Sequence, residues 1–565
     1  MSRHRQWAAL AALMIAALLA AGCGSSSSTT DSSSSAGVKA LDINAMPRDK
    51  VKDGGSFRWA IDEFPKQWNY NQVDGPTDAM FNVIGGLMPS TFGADENSKL
   101  TPETDYVLSA KVTSTKPKQV ITYELNKKAI WSDGTPITAK DYIAQWKALN
   151  GKDERYLVAS TTAYEDVESV VAGKTEYEVV ATFSKPFGEW QQLFNPLYPA
   201  ATNSDPAEFN KGWLNKIPLT AGPFKLGKFD RTAKTITIVR DPKWWGDPAK
   251  LDSIIFRSIA TEATIGSYAN GEVDYADIGP DPAAYKRALT VTGGSVRKAA
   301  GPDFRHFTIN GTAPLLKDVR VRQAIAMGID REVITKADLT GLDWPVTTLG
   351  NHFLVNTQAG YVDNSADVGK YDPTAAGKLL DTAGWTLSGG LRKKNGKTLV
   401  VRFVIPAGVP TSKQEGELTI GMLKKIGVKV DLRTVPGDDF FTSYVIPGNY
   451  DITPFSWIGT PYPISSGKAI YLNPTKDSKG ELQIQQNFAR VGTPEIDALM
   501  RKAIAEVDRT KAVASLNEAD TLIWKEVHSL TMFQRPQLRA VKATLANVGA
   551  YGFKSLNYPD MGYVK

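Results

Sequence analysis

The chain of 565 residues has one cysteine and four histidines, and both scarcities exclude chemistry. A single thiol, Cys23, cannot form an internal disulfide. His306, His352 and His528 stand far apart in sequence without metal-ligand spacing, and His4 lies at the extreme N-terminus, so no metal motif is present. Gly173-Lys-Thr175 and Gly396-Lys-Thr398 resemble phosphate loops only in part. Position 168 is Glu and position 391 is Leu where the first glycine of such a loop must stand. There is no G-x-S-x-G elbow, and among many carboxylates no pair stands out as acid and base. The chain also lacks a Lys/Arg block. Its formal charge of +6 falls to about +4 without Arg3 and Arg5, which speaks against nucleic acid as a partner.

Long hydrophobic runs are equally few. Residues 8–21 form one, too short to span a bilayer, and with Arg3 and Arg5 before it the run has the layout of a secretory signal over residues 1–22. Cys23 follows at once in Leu19-Ala-Ala-Gly-Cys23, which resembles the lipobox of bacterial lipoproteins, with Ala20 where Leu is usual. The resemblance implies acylation of Cys23; plain cleavage and secretion is the alternative. Residues 24–37 are almost all Ser, Thr and Gly, too poor in apolar surface to order themselves. They read as part of a tether over 23–50, whose reach is roughly 25 Å.

What remains has an ordinary globular composition, 42% hydrophobic and 22% charged, and is long enough for two or three domains. Gly55-Ser-Phe-Arg-Trp-Ala-Ile61 alternates as a strand, and residues 79–88 read as a helix. Residues 118–125 and 176–183 read as further strands. Thr138 caps a helix with Asp141 three places on, and Ile143, Trp146 and Leu149 supply its predicted apolar face. Further along, Phe304 to Asn310 alternates as a strand, and Asp318 caps a helix carrying Val321, Ile325 and Ile329. Helix and strand then alternate through Asp372-Pro373, residues 399–405, Leu418/Met422/Ile426 and residues 428–435. Two more helices follow, after Thr493-Pro494 and over residues 510–527. Such alternation predicts α/β lobes.

The residues that carry a family resemblance cluster between Thr220 and Asp277. Thr220-Ala-Gly-Pro-Phe-Lys-Leu226, Val239-Arg-Asp-Pro-Lys-Trp-Trp-Gly246, Leu251-Asp-Ser-Ile-Ile-Phe-Arg257 and Asn270-Gly-Glu-Val-Asp-Tyr-Ala-Asp277 occur in that order. To them are added Trp131-Ser-Asp-Gly-Thr-Pro-Ile-Thr138 and Asp318-Val-Arg-Val-Arg-Gln-Ala324. From about Gly54 to its end the chain resembles the family 5 extracytoplasmic solute-binding proteins, the oligopeptide/dipeptide-binding lipoproteins of peptide-type ABC transporters.

The resemblance implies an α/β, bilobal periplasmic-binding-protein-like fold of the large cluster C (type II) kind, with mixed sheets and a cleft between lobes. The expected division is an N-terminal lobe over 51–302 with a smaller subdomain inserted at about 90–215, a C-terminal lobe over 303–528, and a return to the first lobe over 529–565. It implies a monomer without enzymatic activity, cofactor or metal, which captures an oligopeptide-like ligand. Membrane permease subunits, with ATPase subunits behind them, would be its partners. Val73, Asp74 and Gly75 match a cleft segment of the family, or form an Asp-Gly-Pro turn that touches nothing. Trp457, Thr460 and Tyr462 supply an aromatic loop, and Arg305 a guanidinium for a ligand carboxylate. Family members place an aspartate shortly after the matching tryptophan to meet a ligand's α-amino group; here no acid follows Trp457 until Asp477. The departure leaves three expectations open for the ligand: a peptide held otherwise, a modified or cyclic peptide, or a non-peptide such as an oligosaccharide. A secreted carboxylate-dependent hydrolase and a receptor that reports ligand without transport are the other function classes.

Overall fold

The computed structural model describes residues 38–476 and 480–565; the signal, Cys23 and most of the tether lie outside the described residues. A ten-stranded mixed sheet runs through the molecule. In spatial order its strands are Lys429–Val435, Val400–Pro406, Ile452–Trp457, Gly294–Ile309, Ser529–Lys542, Tyr275–Asp277, Ser56–Ile61, Ser253–Ser258, Thr235–Arg240 and Phe224–Asp230. The two longest, of sixteen and fourteen residues, lie side by side at its centre and pair antiparallel from Gly294 opposite Lys542 to Thr308 opposite Ser529. The register slips between Ala300 and Phe304 and again between Arg305 and His306. Such irregularities bend and twist a strand pair locally. Residues 304–309 pair on their other side with Ile452–Trp457, so the slip separates the two halves of the sheet.

Apolar side chains gather mainly into two cores. One holds Phe57, Trp59, Phe224, Ile238 and Phe256 together with the small antiparallel sheet of Val107–Ser114, Val120–Leu125, Glu178–Phe183 and Val167–Ala172. The other holds Phe307, Ile309, Val321, Ile325, Phe403 and Ile452. Ile259, Tyr268, Ala276 and Tyr285 join this second core, so residues 259–288 pack across the expected lobe division through the shared sheet.

Local chemistry accounts for the family motifs. Gly222 lies against the Gly86 carbonyl, where a Cβ has no room, and the Phe224 amide donates to that carbonyl at 3.1 Å. Gly85 and Gly86 stop the predicted helix early, at Asp78–Ile84. Trp244 and Trp245 pack on Tyr106, and Trp245 Nε1 donates to the Asp105 carbonyl at 2.8 Å. Asp274, buried, grips Arg58 through both the guanidinium and the Arg58 amide. Gly271 ends the helix Thr261–Ala269 at a φ of 71°.

The helix Ala139–Leu149 begins with the expected capping box of Thr138 and Asp141. Its buried face differs from the prediction: Tyr142, Gln145 and Leu149 turn inward while Ile143 and Trp146 are half-buried. Gln145 is drawn in because its amide reaches the Pro196 carbonyl and the Tyr164 hydroxyl, a non-local demand that periodicity does not carry. Among the described residues no helix is long and apolar enough to cross a membrane. Thr138→Ala is expected to lower stability by about 1 kcal/mol, the usual worth of a cap. Chemical denaturation with an unchanged m-value is the measurement that checks it.

Candidate functional site

The strand Ile452–Trp457 pairs with the backbone of its neighbour Val400–Pro406 only at Ile452, adds one bond from Thr453 Oγ1 to the Val404 carbonyl at 2.8 Å, then peels away. Pro454, which has no amide to donate, is tolerated because that side of the strand is unpaired from there on. The strand thus delivers Trp457 to the point where the central strands slip, opposite Phe304. The indole lies between His306 and Phe488, nearly parallel to both, at 5.7 Å from each ring, with Phe455 edge-on at 5.2 Å. It remains half-buried and faces a recess bounded by Pro302, Phe304, Phe353, Thr460 and Gly467. Gly459 comes so close to the Pro302 carbonyl that a Cβ would collide with it.

The other expected residues are more dispersed. Thr460 Oγ1 accepts the Tyr462 amide at 3.1 Å and pairs with Ser466 Oγ at 2.8 Å, so it shapes the loop. Tyr462 reaches the first lobe, its hydroxyl donating to the Gln191 carbonyl at 3.3 Å. Val73, Asp74 and Gly75 lie in the first lobe. The Val73 amide is tied to the Leu157 carbonyl at 2.8 Å, its side chain is exposed, and Gly75 passes so near the Asn69 carbonyl that only glycine fits.

Arg305 does not present a free guanidinium. It is spent on Glu415, to which Nε donates at 2.7 Å and Nη2 makes a second bond, and on Ser412 Oγ at 2.8 Å. Glu415 is fully buried, so the pair holds the helix Pro410–Lys424 to the crossing strand, and the expected ligand contact gives way to a structural one.

Carboxylates gather where the lobes meet. Asp303 lies in the slipped segment, accepts the Gly459 amide at 3.3 Å and faces Arg535 at 3.8 Å. Desolvation raises its pKa, and Arg535 opposes the rise. Asp78 is raised by desolvation and by Asp62, Asp277 and Glu63, with Arg539 opposing. Arg539 itself is bound by Asp277 and by Tyr275 Oη, the latter at 2.9 Å. Asp303 thus comes within reach of the Trp457 loop from a strand more than 150 positions away in sequence.

Residues 105–479 match the model of the bacterial extracellular solute-binding proteins, family 5. The chain belongs to that family. It is 38% identical over 528 residues to the oligopeptide-binding protein OppA of Mycobacterium tuberculosis, covering 93% of this chain and 87% of that one. Among solved structures, a periplasmic EDTA-binding protein, EppA, superposes with a TM-score of 0.83 at 27% identity, covering 94% of this chain and 99% of that one. The oligopeptide-binding protein AppA of Bacillus subtilis, solved with a nonapeptide, gives a TM-score of 0.70 at 19% identity, covering 91% and 100%, which is a likeness of fold. Members of the family are extracytoplasmic binding proteins, bilobal and α/β, as the residues between Thr220 and Asp277 imply.

The histidines of this family 5 protein are closer in space than in sequence. His352 and His528 both border Tyr471, with ring centroids 5.6 and 4.9 Å from it. His352 Nδ1 lies 2.6 Å from Asp520 and its Nε2 3.1 Å from the Ser529 carbonyl. His528 is pushed down to about 3, chiefly by burial, and burial also lowers His306 strongly. Among the described residues no group of three or more His, Cys, Asp or Glu is placed to hold a metal ion.

Asp338 lies beside the Arg305–Glu415 pair, buried, and among the described residues no donor reaches either of its oxygens. Desolvation first, then the neighbouring Glu415, pushes its pKa up to about 9, so at neutral pH it carries a proton that Glu415 can accept. A carboxyl raised in the folded state stabilises the fold fully below its unfolded value near 4, and that contribution is lost as pH rises toward 9. Asp338→Asn keeps a donor and is expected to flatten the decline of stability between pH 5 and pH 9, followed by thermal melts across that range. Arg305→Ala strands a buried Glu415 and is expected to cost about 3–5 kcal/mol, measured by denaturation without ligand.

Proposed function

We propose that this protein captures oligopeptides in the cleft between its lobes and delivers them to the membrane permease of an ABC importer, held at the membrane through a lipid on Cys23. The observation that carries this reading is the likeness to OppA along nearly the whole chain, with the Trp457 recess and Asp303 set at the crossing of the two lobes. Ligand would be held by an aromatic wall, backbone groups and a few fixed charges. Binding would shift the protein from open toward closed forms by bridging both walls.

A second reading is a compact non-peptide solute, favoured by the likeness to EDTA-binding EppA. Charge argues against a polyanion. Asp62, Asp277 and Glu63 act on Asp78, and Asp78 acts on Asp303, with Arg539 opposing at both and Arg535 at Asp303. Such a field favours a ligand carrying an ammonium group. Asp303 offers that ammonium a carboxylate near the Trp457 loop, which the loop's own sequence lacks.

Native mass spectrometry of the protein purified from its own host identifies retained ligand; peptides support the proposal, and a chelate or glycan alone sinks it. Mass changes in peptides or glycans on incubation would instead mark a hydrolase. Trp457→Ala is expected to weaken peptide binding about tenfold or more. It also lowers ligand-free stability by about 2 kcal/mol, since the half-buried ring packs against His306 and Phe488. Asp303→Asn is expected to weaken a free-amine peptide by about tenfold to a hundredfold and to leave its N-acetylated form unchanged, by titration calorimetry.

A further inference from the structure

The nine-residue helix Pro463–Tyr471, which follows the Trp457–Tyr462 loop, has no side-chain cap of its own. Its first amides are met from the other lobe. Glu189 accepts the Ile464 amide at 3.0 Å, the Ser465 amide at 2.7 Å and the Ser465 hydroxyl at 2.6 Å. Glu189 is almost fully buried, and burial raises its pKa while these three donors oppose the rise. One residue earlier, the Gly188 amide donates at 2.7 Å to the Ile504 carbonyl at the C-terminal end of the helix Pro494–Ala505.

A two-residue strap of the first lobe therefore grips two helix ends of the second, a carboxylate on exposed N–H groups and an N–H on an exposed carbonyl. Each contact matches the partial charge of the helix end it meets. Around it, Gln192 Nε2 donates to Ser465 Oγ at 2.6 Å and Lys468 pairs with Glu165 at 3.1 Å. Gly188 approaches the Glu506 carbonyl so closely that a Cβ would collide with it, although its φ does not demand glycine. The glycine is needed for the contact and not for the local chain.

We propose that Gly188 and Glu189 form a latch between the lobes, with Glu189 a positioning residue that holds the Trp457–Tyr462 loop against the first lobe when the cleft is shut. The latch rests on the two-lobe arrangement and is independent of which ligand the cleft takes. In the open form the amides of Ile464 and Ser465 are free to bind water, so the latch adds a bias toward closure that ligand then completes.

The test is the distance between lobes in ligand-free protein. Spin labels on Lys111→Cys and Lys424→Cys, in the full chain with Cys23→Ser, report it by pulsed electron resonance. Glu189→Gln, Ser465→Ala and Gly188→Ala are each expected to move the population toward the longer distance. Glu189→Gln removes charge-assisted bonds and should cut the closed fraction about tenfold. Unchanged distance distributions in all three would overturn the latch, as would a lowered melting temperature in Glu189→Gln with distances unmoved, which marks a mere staple. If Glu189→Gln fails to fold, Ser465→Ala probes the same bonds from the second lobe. No ligand is added, so a wrong assignment of peptide leaves the result intact.

Discussion

Everything in this molecule leans on the pairing of two long strands, Gly294–Ile309 and Ser529–Lys542, whose partners are some 220 to 250 positions apart in the chain. Closing a loop of that size is costly in entropy, though the cost grows only slowly with length. It is offset because the pair is sheathed by both cores: Phe307, Ile309, Leu538 and Ala540 bury in the second core, and Val541 buries in the first. The ladder slips twice, leaving residues 301–303 unpaired and shifting again between Arg305 and His306. The unpaired stretch is where the chain is least constrained to be straight, and it is also where Asp303, Gly459 and Trp457 converge. Under the proposed function, hinge and binding wall are one feature, and a ligand touching the wall would act directly on the element that bends.

Charged side chains fasten the sheet at its crossings in a repeated manner. Asp274 takes the guanidinium and the amide of Arg58, and Asp451 takes the guanidinium and the amide of Arg402. Each carboxylate bridges a strand's backbone and its side chain at once. In each pair the carboxylate is buried and the guanidinium partly exposed, so the pair contributes little net stability but penalises any other register, because a slip leaves the buried carboxylate unpaired. The Arg305–Glu415 pair does the same between strand and helix. Its guanidinium looked available in sequence because an arginine beside a crossing strand reads alike whether its partner is a ligand or a glutamate 110 residues on.

That distinction marks what was legible and what was not. Period-2 and helical patterns located four strands of the main sheet, Ser56–Ile61, Val400–Pro406, Lys429–Val435 and the 304–309 part of Gly294–Ile309, and helices such as Ala139–Leu149 and Val319–Gly328. Caps written within four residues, at Thr138, Asp318 and Asp372, were visible in the local sequence. Trp457 was legible as part of an aromatic loop with Thr460 and Tyr462, and the structure sets it at the end of a strand. Asp303 was not, since a lone carboxylate in Gly-Pro-Asp-Phe resembles any turn residue. The proximity of His352 and His528 was equally hidden, because Tyr471, which brings them together, belongs to a helix between them in sequence and carries no metal-like spacing.

One absence could have been read. Nearly every other helix of eight or more residues in the second lobe opens on an aspartate or threonine whose side chain caps it, whereas Pro463–Tyr471 opens on Tyr462, which cannot. Pro463 removes one of the orphan N–H groups and leaves the next two unsatisfied. A helix that begins this way beside a binding loop is incomplete by itself, and its missing acceptor must come from water or from elsewhere in the fold. The acceptor is Glu189, 275 positions away and in the other lobe. A residue that would have been an unremarkable local cap has been moved across the cleft, and that move turns helix completion into a condition on how the lobes stand.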